Sequence, residues 1–174
     1  MKRKSFVLLS LIALVAFAVC FSQEVYAQKK GGLKRPKNIG DANFDRFKNT
    51  SFDVYFNLKK YRKNLNKLKE NLASYQEDKA NIEIKSVKAD IKATDKIIKS
   101  LTKLKNEIPD LQNEGAQLVK NAKNLKPKTK SIKAVKNTSK SIKALDKSQE
   151  MLENEMIRAK EQVEALNELL KSEP

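Results

Sequence analysis

The 174-residue chain has no histidine, no tryptophan, one cysteine, four glycines and four prolines. Each scarcity removes a class of chemistry. Without histidine, and with Cys20 alone, the usual ligands of zinc, copper and haem are missing, and a Cys–His or Ser–His nucleophile cannot be assembled. Three glycines crowd into residues 31–40, leaving only Gly115 further along. No phosphate-cradling loop of the P-loop or dinucleotide type can be built from that supply. No stretch alternates with period two for long enough to predict a strand. Carboxylate pairs do occur, Glu153 with Glu155 and Glu161 with Glu164. On an amphipathic helix these read as solvated surface and not as an acid–base pair. The expectation is a protein that is not an enzyme and uses no cofactor or metal.

What the chain has in quantity is lysine and helical periodicity. Its first residues carry a positive group (Lys2, Arg3, Lys4), an apolar run from Phe6 to Phe21, and Val25-Tyr26-Ala27 with small residues where a signal peptidase reads. This is the pattern of a secretory signal peptide over residues 1–27, cut before Gln28. The apolar run is shorter than the ~20 residues of a usual membrane span. A lipid anchor at Cys20 would need a small residue before the cysteine, where this chain has Val19, so anchoring is the lesser alternative to a periplasmic or secreted location. After such a cut 34 Lys+Arg face 20 Asp+Glu, a formal charge of +14. Outside the leader and linker only Arg46, Arg62 and Arg158 are arginines. Lysine is a hydrated point charge without the planar fork that reads bases, so the basicity points to anionic surfaces and makes nucleic acid an improbable partner.

Residues 28–41 hold three glycines, a proline and five cations, and read as a flexible basic linker. A helical bundle is expected over 42–174, with Asp41 as a helix N-cap. In the first helix, over about 42–77, a three-four spacing runs Phe44, Phe47, Ser51, Val54, Leu58, Tyr61, Leu65, Leu68, Leu72, Tyr75. A second series (Ile84, Val87, Ile91, Thr94, Ile98, Leu101, Lys105, Ile108) is out of step with it. The slip predicts a turn near Gln76–Ala80, with one longer continuous helix as the alternative. Ile97 and Leu104 widen that second stripe toward two neighbours. Pro109 predicts a kink or a new helical start, because it has no amide hydrogen to give. Lys126-Pro127-Lys128 is a firmer break. The last helix, from about Thr129 to Lys171, carries Val135, Thr138, Ile142, Leu145, Gln149, Leu152, Met156, Ala159, Val163, Leu166 and Leu170. These segments predict an all-α, elongated antiparallel bundle or coiled coil of three long arms, the second broken at Pro109.

Two surface features are candidate contact sites. Between Lys120 and Lys147 there are ten lysines and one acid, Asp146. Lys130, Lys133, Lys136, Lys140, Lys143 and Lys147 form the candidate contact for an anionic partner, set against the reading of a merely solvated face. Beyond Ser148 the outward positions become Glu150, Glu161, Glu164 and Glu168. The last helix is therefore basic at its start and acidic at its end, against the preference of the helix dipole. Phe52, Tyr55 and Phe56 lie off the first stripe and form a candidate aromatic contact patch, unless another part of the bundle covers them. Asn49-Thr50-Ser51 and Asn137-Thr138-Ser139 also match the N-glycosylation acceptor pattern.

In composition and helical arms the chain resembles periplasmic holdase chaperones of the Skp type, which are small, exported, basic and built with long helices. It departs from them in lacking the apolar strand segments of their trimer-forming body. The sequence thus points to an exported binding or structural protein. Its partner is an anionic envelope component, another protein or a second copy of itself, and no membrane span is expected after the leader. The alternatives are a holdase and a coiled-coil spacer.

Overall fold

The computed structural model describes residues 32–78 and 81–171; the expected signal peptide and the linker start lie outside them. Arg35–Pro174 forms one compact unit. Within it three helices follow one another, α1 (Ala42–Glu77), α2 (Ile84–Ala122) and α3 (Lys128–Lys171), with no strand among the described residues. At 1.5 Å per residue these helices run about 54 to 66 Å. The fold is the expected all-α bundle.

The antiparallel turns have local causes. α1 ends at the place where its stripe slips, and the Asn81 amide donates to both carboxylate oxygens of Asp78, at 3.0 and 3.2 Å. The predicted turn therefore exists, even without a glycine or proline, because apolar faces of α1 and α2 would otherwise point away from each other. α2 runs unbroken through Pro109, which differs from the expected break. An interior proline costs a helix about 3 kcal/mol. Here Leu104, Ile108, Gly115 and Leu118 are buried on either side of it, so tertiary packing holds both halves in one helix.

α1 and α3 run parallel, with α2 antiparallel to both. At one end Lys130 reaches the carbonyl of Gly40; at the other, Leu72, Val87, Leu166 and Leu169 form one apolar cluster. α3 packs extensively on both other helices, while α1 and α2 share far less surface. That central position changes which residues α3 buries. Thr138, Leu145, Leu152, Ala159 and Leu166 are buried as the stripe predicts. Their buried companions are Ala134, Ser141, Ala144, Ser148, Glu155, Gln162 and Leu169, whereas Val135, Ile142, Met156, Val163 and Leu170 are half-buried and Gln149 is exposed. This flank faces α1, where Glu155 and Gln162 meet Arg62 and the Leu65 carbonyl. The hydroxyls of Ser141 and Ser148 donate to the carbonyls one turn earlier, at 2.9 and 2.7 Å, so their burial leaves no bond unmade. Ser51, the polar member of the α1 stripe, does the same toward Phe47 at 2.8 Å.

Near the α1–α2 turn the Tyr75 hydroxyl and the Asn71 amide each donate to Asp90 at 3.0 Å. Burial first, then the Asp90 hydrogen bond and the Asp90 and Glu83 charges, push the Tyr75 hydroxyl from 10.0 up to about 12. The folded value lies above the unfolded one, so the stability this tyrosine lends is complete below pH 10 and is lost between pH 10 and 12. Urea titrations across that window should show the wild type losing stability relative to Tyr75→Phe, with a constant gap below it. Parallel curves for the two proteins from pH 9 to 12 would refute the assignment.

Candidate functional site

The basic end of the bundle is organised around the segment that leads into α1. Residues 35–41, expected as part of a flexible arm, are pinned by hydrogen bonds from several directions. The Asp45 carboxylate accepts the amides of Ile39, Gly40 and Asp41 at 2.9, 2.9 and 3.2 Å. Asp41 occupies the N-cap position but makes no side-chain cap; Asp45, one turn inside the helix, satisfies the incoming amides instead. Gly40 takes the positive φ of 73° that this sharp entrance requires. The Asn137 amide donates to the Lys37 carbonyl at 2.8 Å, and Ile39 packs against the core. Composition predicted freedom here; the amide-accepting carboxylate of Asp45 removes it.

The lysine positions of α3 divide under this geometry. Lys130 is committed internally, donating to Gly40 at 3.0 Å and lying 3.8 Å from Asp41. Lys133, Lys136, Lys140, Lys143 and Lys147 all stand exposed. None of them forms an ion pair among the described residues. Asp146, the one acid in the tract, accepts a hydrogen bond from Gln112 at 3.1 Å. Two rows, Lys133/Lys140/Lys147 and Lys136/Lys143, run along the face opposite the buried stripe. From Lys133 to Lys147 they cover about 21 Å of helix.

The aromatic patch is not presented as a whole. Phe52 and Tyr55 are buried, and only Phe56 is exposed. The Phe56 ring lies 6.0 Å from that of Phe52 and 5.5 Å from that of Tyr55. The Arg35 guanidinium sits 5.5 Å above the Phe56 ring and also pairs with Asp53. These aromatics are packing for the docked segment, with one edge left open. Beside them Lys48 is buried, donating to Asn38 and lying 3.8 Å from Asp45. Both glycosylation-type motifs lie within helices, and the Asn137 nitrogen is already engaged.

Sequence reasoning missed the buried polar group between α1 and α3. Glu155, read as solvated surface, is 1% exposed. Its two oxygens accept from Arg62 Nε at 2.6 Å and Arg158 Nη1 at 2.8 Å. Arg158 also donates to Asn66 at 2.6 Å, and the Gln162 amide donates to the Leu65 carbonyl at 3.0 Å. The signal was present: all three arginines beyond the linker lie in these helices, two of them in this cluster, and arginine is the cation suited to buried pairing. Within the group the Gln162 Oε1 is buried without a hydrogen-bond partner among the described residues. No group of three or more His, Cys, Asp or Glu among the described residues could hold a metal ion. No described helix is long and apolar enough to cross a membrane. No protein-family model, no curated protein and no solved structure matches the chain.

Proposed function

We propose that this is a non-enzymatic exported protein that acts by binding, presenting the two lysine rows of α3 to an anionic component of the cell envelope. The observation that carries the reading is the contrast within one helix. Lys130 is tied to the backbone of the docked segment, whereas Lys133, Lys136, Lys140, Lys143 and Lys147 are exposed and form no ion pair among the described residues. A charge arrangement that opposes the helix dipole gains nothing locally, which favours an external partner. A lysine held near an anionic surface contributes on the order of 1 kcal/mol. Four such contacts together amount to roughly a thousandfold in affinity.

The test is binding of the purified chain to anionic and neutral vesicles and to a soluble polyanion across a salt series. Binding to the anionic targets is expected to persist near physiological ionic strength. The variant Lys133→Gln/Lys136→Gln/Lys140→Gln/Lys143→Gln should weaken it by two to three orders of magnitude, at about 1 kcal/mol per lysine, and flatten its salt dependence. Unchanged affinity in that variant sinks the reading. Suppression of client aggregation without polyanion binding would instead make the chain a holdase.

A further inference from the structure

On the side of α3 turned toward α2, away from the Glu155 cluster, the bundle has an open groove of about 510 Å³. Its position follows from Pro109. This residue has no amide hydrogen for the Lys105 carbonyl one turn before it, and its ring stands on the groove wall. Ile108 and Leu152 form a buried apolar floor. Met156 and Pro109 line the sides, and Ile157, at 58% exposure, extends the outer wall into solvent. An isoleucine left this open among charged neighbours is an apolar surface that no other described residue covers.

The groove is also electrically polarised. α2 and α3 are antiparallel and in register through Gln112, which donates to Gln149 at 3.2 Å. That register places Pro109 and Gln149 at one end, and Lys105 and Lys160 toward the other. Lys105 and Lys160 are exposed and form no ion pair among the described residues. Glu153 lies between the ends, so the cationic end is the single place along the groove where an anion is favoured. From Gln149 to Lys160 the helix advances about 16 Å. A trough of that length, with an apolar floor and outer wall, the exposed Glu153 on its rim and two ammonium groups at one end, fits one extended hydrocarbon chain with an anionic head.

We propose that the groove between α2 and α3 at Pro109 binds a free single-chain anionic amphiphile of the fatty-acid carboxylate class. Its acyl chain lies along Ile108, Pro109, Leu152, Met156 and Ile157, and its carboxylate meets Lys105 and Lys160. The volume lies within the range of small-molecule sites. Charge complementarity selects the carboxylate end, while the apolar floor supplies the affinity. The site is separate from the lysine rows and does not depend on them.

Calorimetric titration of the full chain with dodecanoate, kept below its micelle concentration, tests the proposal. Saturable uptake of one dodecanoate per chain is expected. Ile157→Glu should weaken uptake by about tenfold or more, since it sets a carboxylate against the hydrocarbon; circular dichroism checks that its helix content is kept. Lys105→Gln/Lys160→Gln should reduce uptake to the level seen with the uncharged dodecanol. The lysine-row variant should take up dodecanoate normally, which separates this site from the envelope-binding reading. No saturable uptake, or uptake indifferent to Ile157→Glu, overturns the proposal. Loss of anionic-vesicle binding in Ile157→Glu would show a bilayer contact instead of a free amphiphile, and overturns it too. So would a concentration-dependent mass abolished by the same variant without any dodecanoate uptake, since a second copy would then be the occupant.

Discussion

Replacing Arg62 and Arg158 together by methionine, with Glu155 retained, is expected to destabilise the bundle by about 3–5 kcal/mol. Glu155 is 1% exposed and has both oxygens occupied by these two guanidinium groups. Removing both leaves a buried carboxylate without a counter-charge and without hydrogen bonds, the costliest condition for an ionised group in a core. Either arginine changed alone should cost less, because the other still covers one oxygen. Adding Glu155→Leu to the double variant should recover most of the loss, since well-packed apolar replacements of a buried ion cluster are often neutral. Chemical denaturation of the wild type and these four variants measures this directly. A loss below about 1 kcal/mol in the double variant would mean that water reaches Glu155 and that the cluster is not a closed one.

The same cluster has a consequence for register. The apolar positions of α1 and α3 recur every seven residues, so a slide of one heptad would still match many hydrophobic contacts. A slide that brings Glu155 opposite Tyr55 would bury the carboxylate without Arg62, leaving Arg158 of its own helix as its one partner. Buried polar groups that set register in this way are well attested in coiled coils.

Phe47→Ala is expected to cost about 3–5 kcal/mol, the usual loss for emptying a buried phenylalanine site, and its effect should be coupled to Gly115. All three helices meet at this glycine. A methyl group placed on it would stand 2.7 Å from Phe47 Cζ and 2.9 Å from Ile142 Cγ1, closer than carbon atoms pack. Gly115→Ala alone therefore combines a gain of about 1 kcal/mol in helix propensity with an overpacking penalty of about 1–3 kcal/mol, and a net loss is expected. With Phe47 already reduced to alanine, the larger of the two clashes is gone. Gly115→Ala should then be neutral or stabilising, giving a coupling of at least about 1 kcal/mol in a double-mutant cycle. Additive losses would show that the helices separate enough to accept the methyl group and that the close approach is not needed.

Much of the fold was legible because burial in a bundle follows a period of seven. Every member of the α1 stripe from Phe44 to Leu72 was recognised, and all but the half-buried Tyr61 are buried. The slip after Tyr75 located the turn. For the site, the lysine spacing showed which side chains share an outward face, but spacing could not show that Lys130 is drawn inward by Gly40 and Asp41. The aromatic patch was misread for a related reason: Phe52 and Tyr55 lie off the stripe, and periodicity within one helix carries no information about a covering segment outside it.

By itself, then, the sequence determined the helical class, the approximate limits of three helices, the residues that recur at every seventh position, and the segregation of lysine from apolar surface. These are local properties, set by side-chain polarity at a 3.6-residue period. The tertiary structure alone decided which flank of α3 is buried, that Asp45 anchors the incoming segment, that α2 passes through Pro109 unbroken, and that Glu155 belongs to the core. Those outcomes depend on how closely two backbones approach and on which distant donors meet a carboxylate. Ala134, Ser141 and Ser148 are fully buried, although hydrophobic patterning ranks such small residues below the valines, isoleucines and leucines beside them.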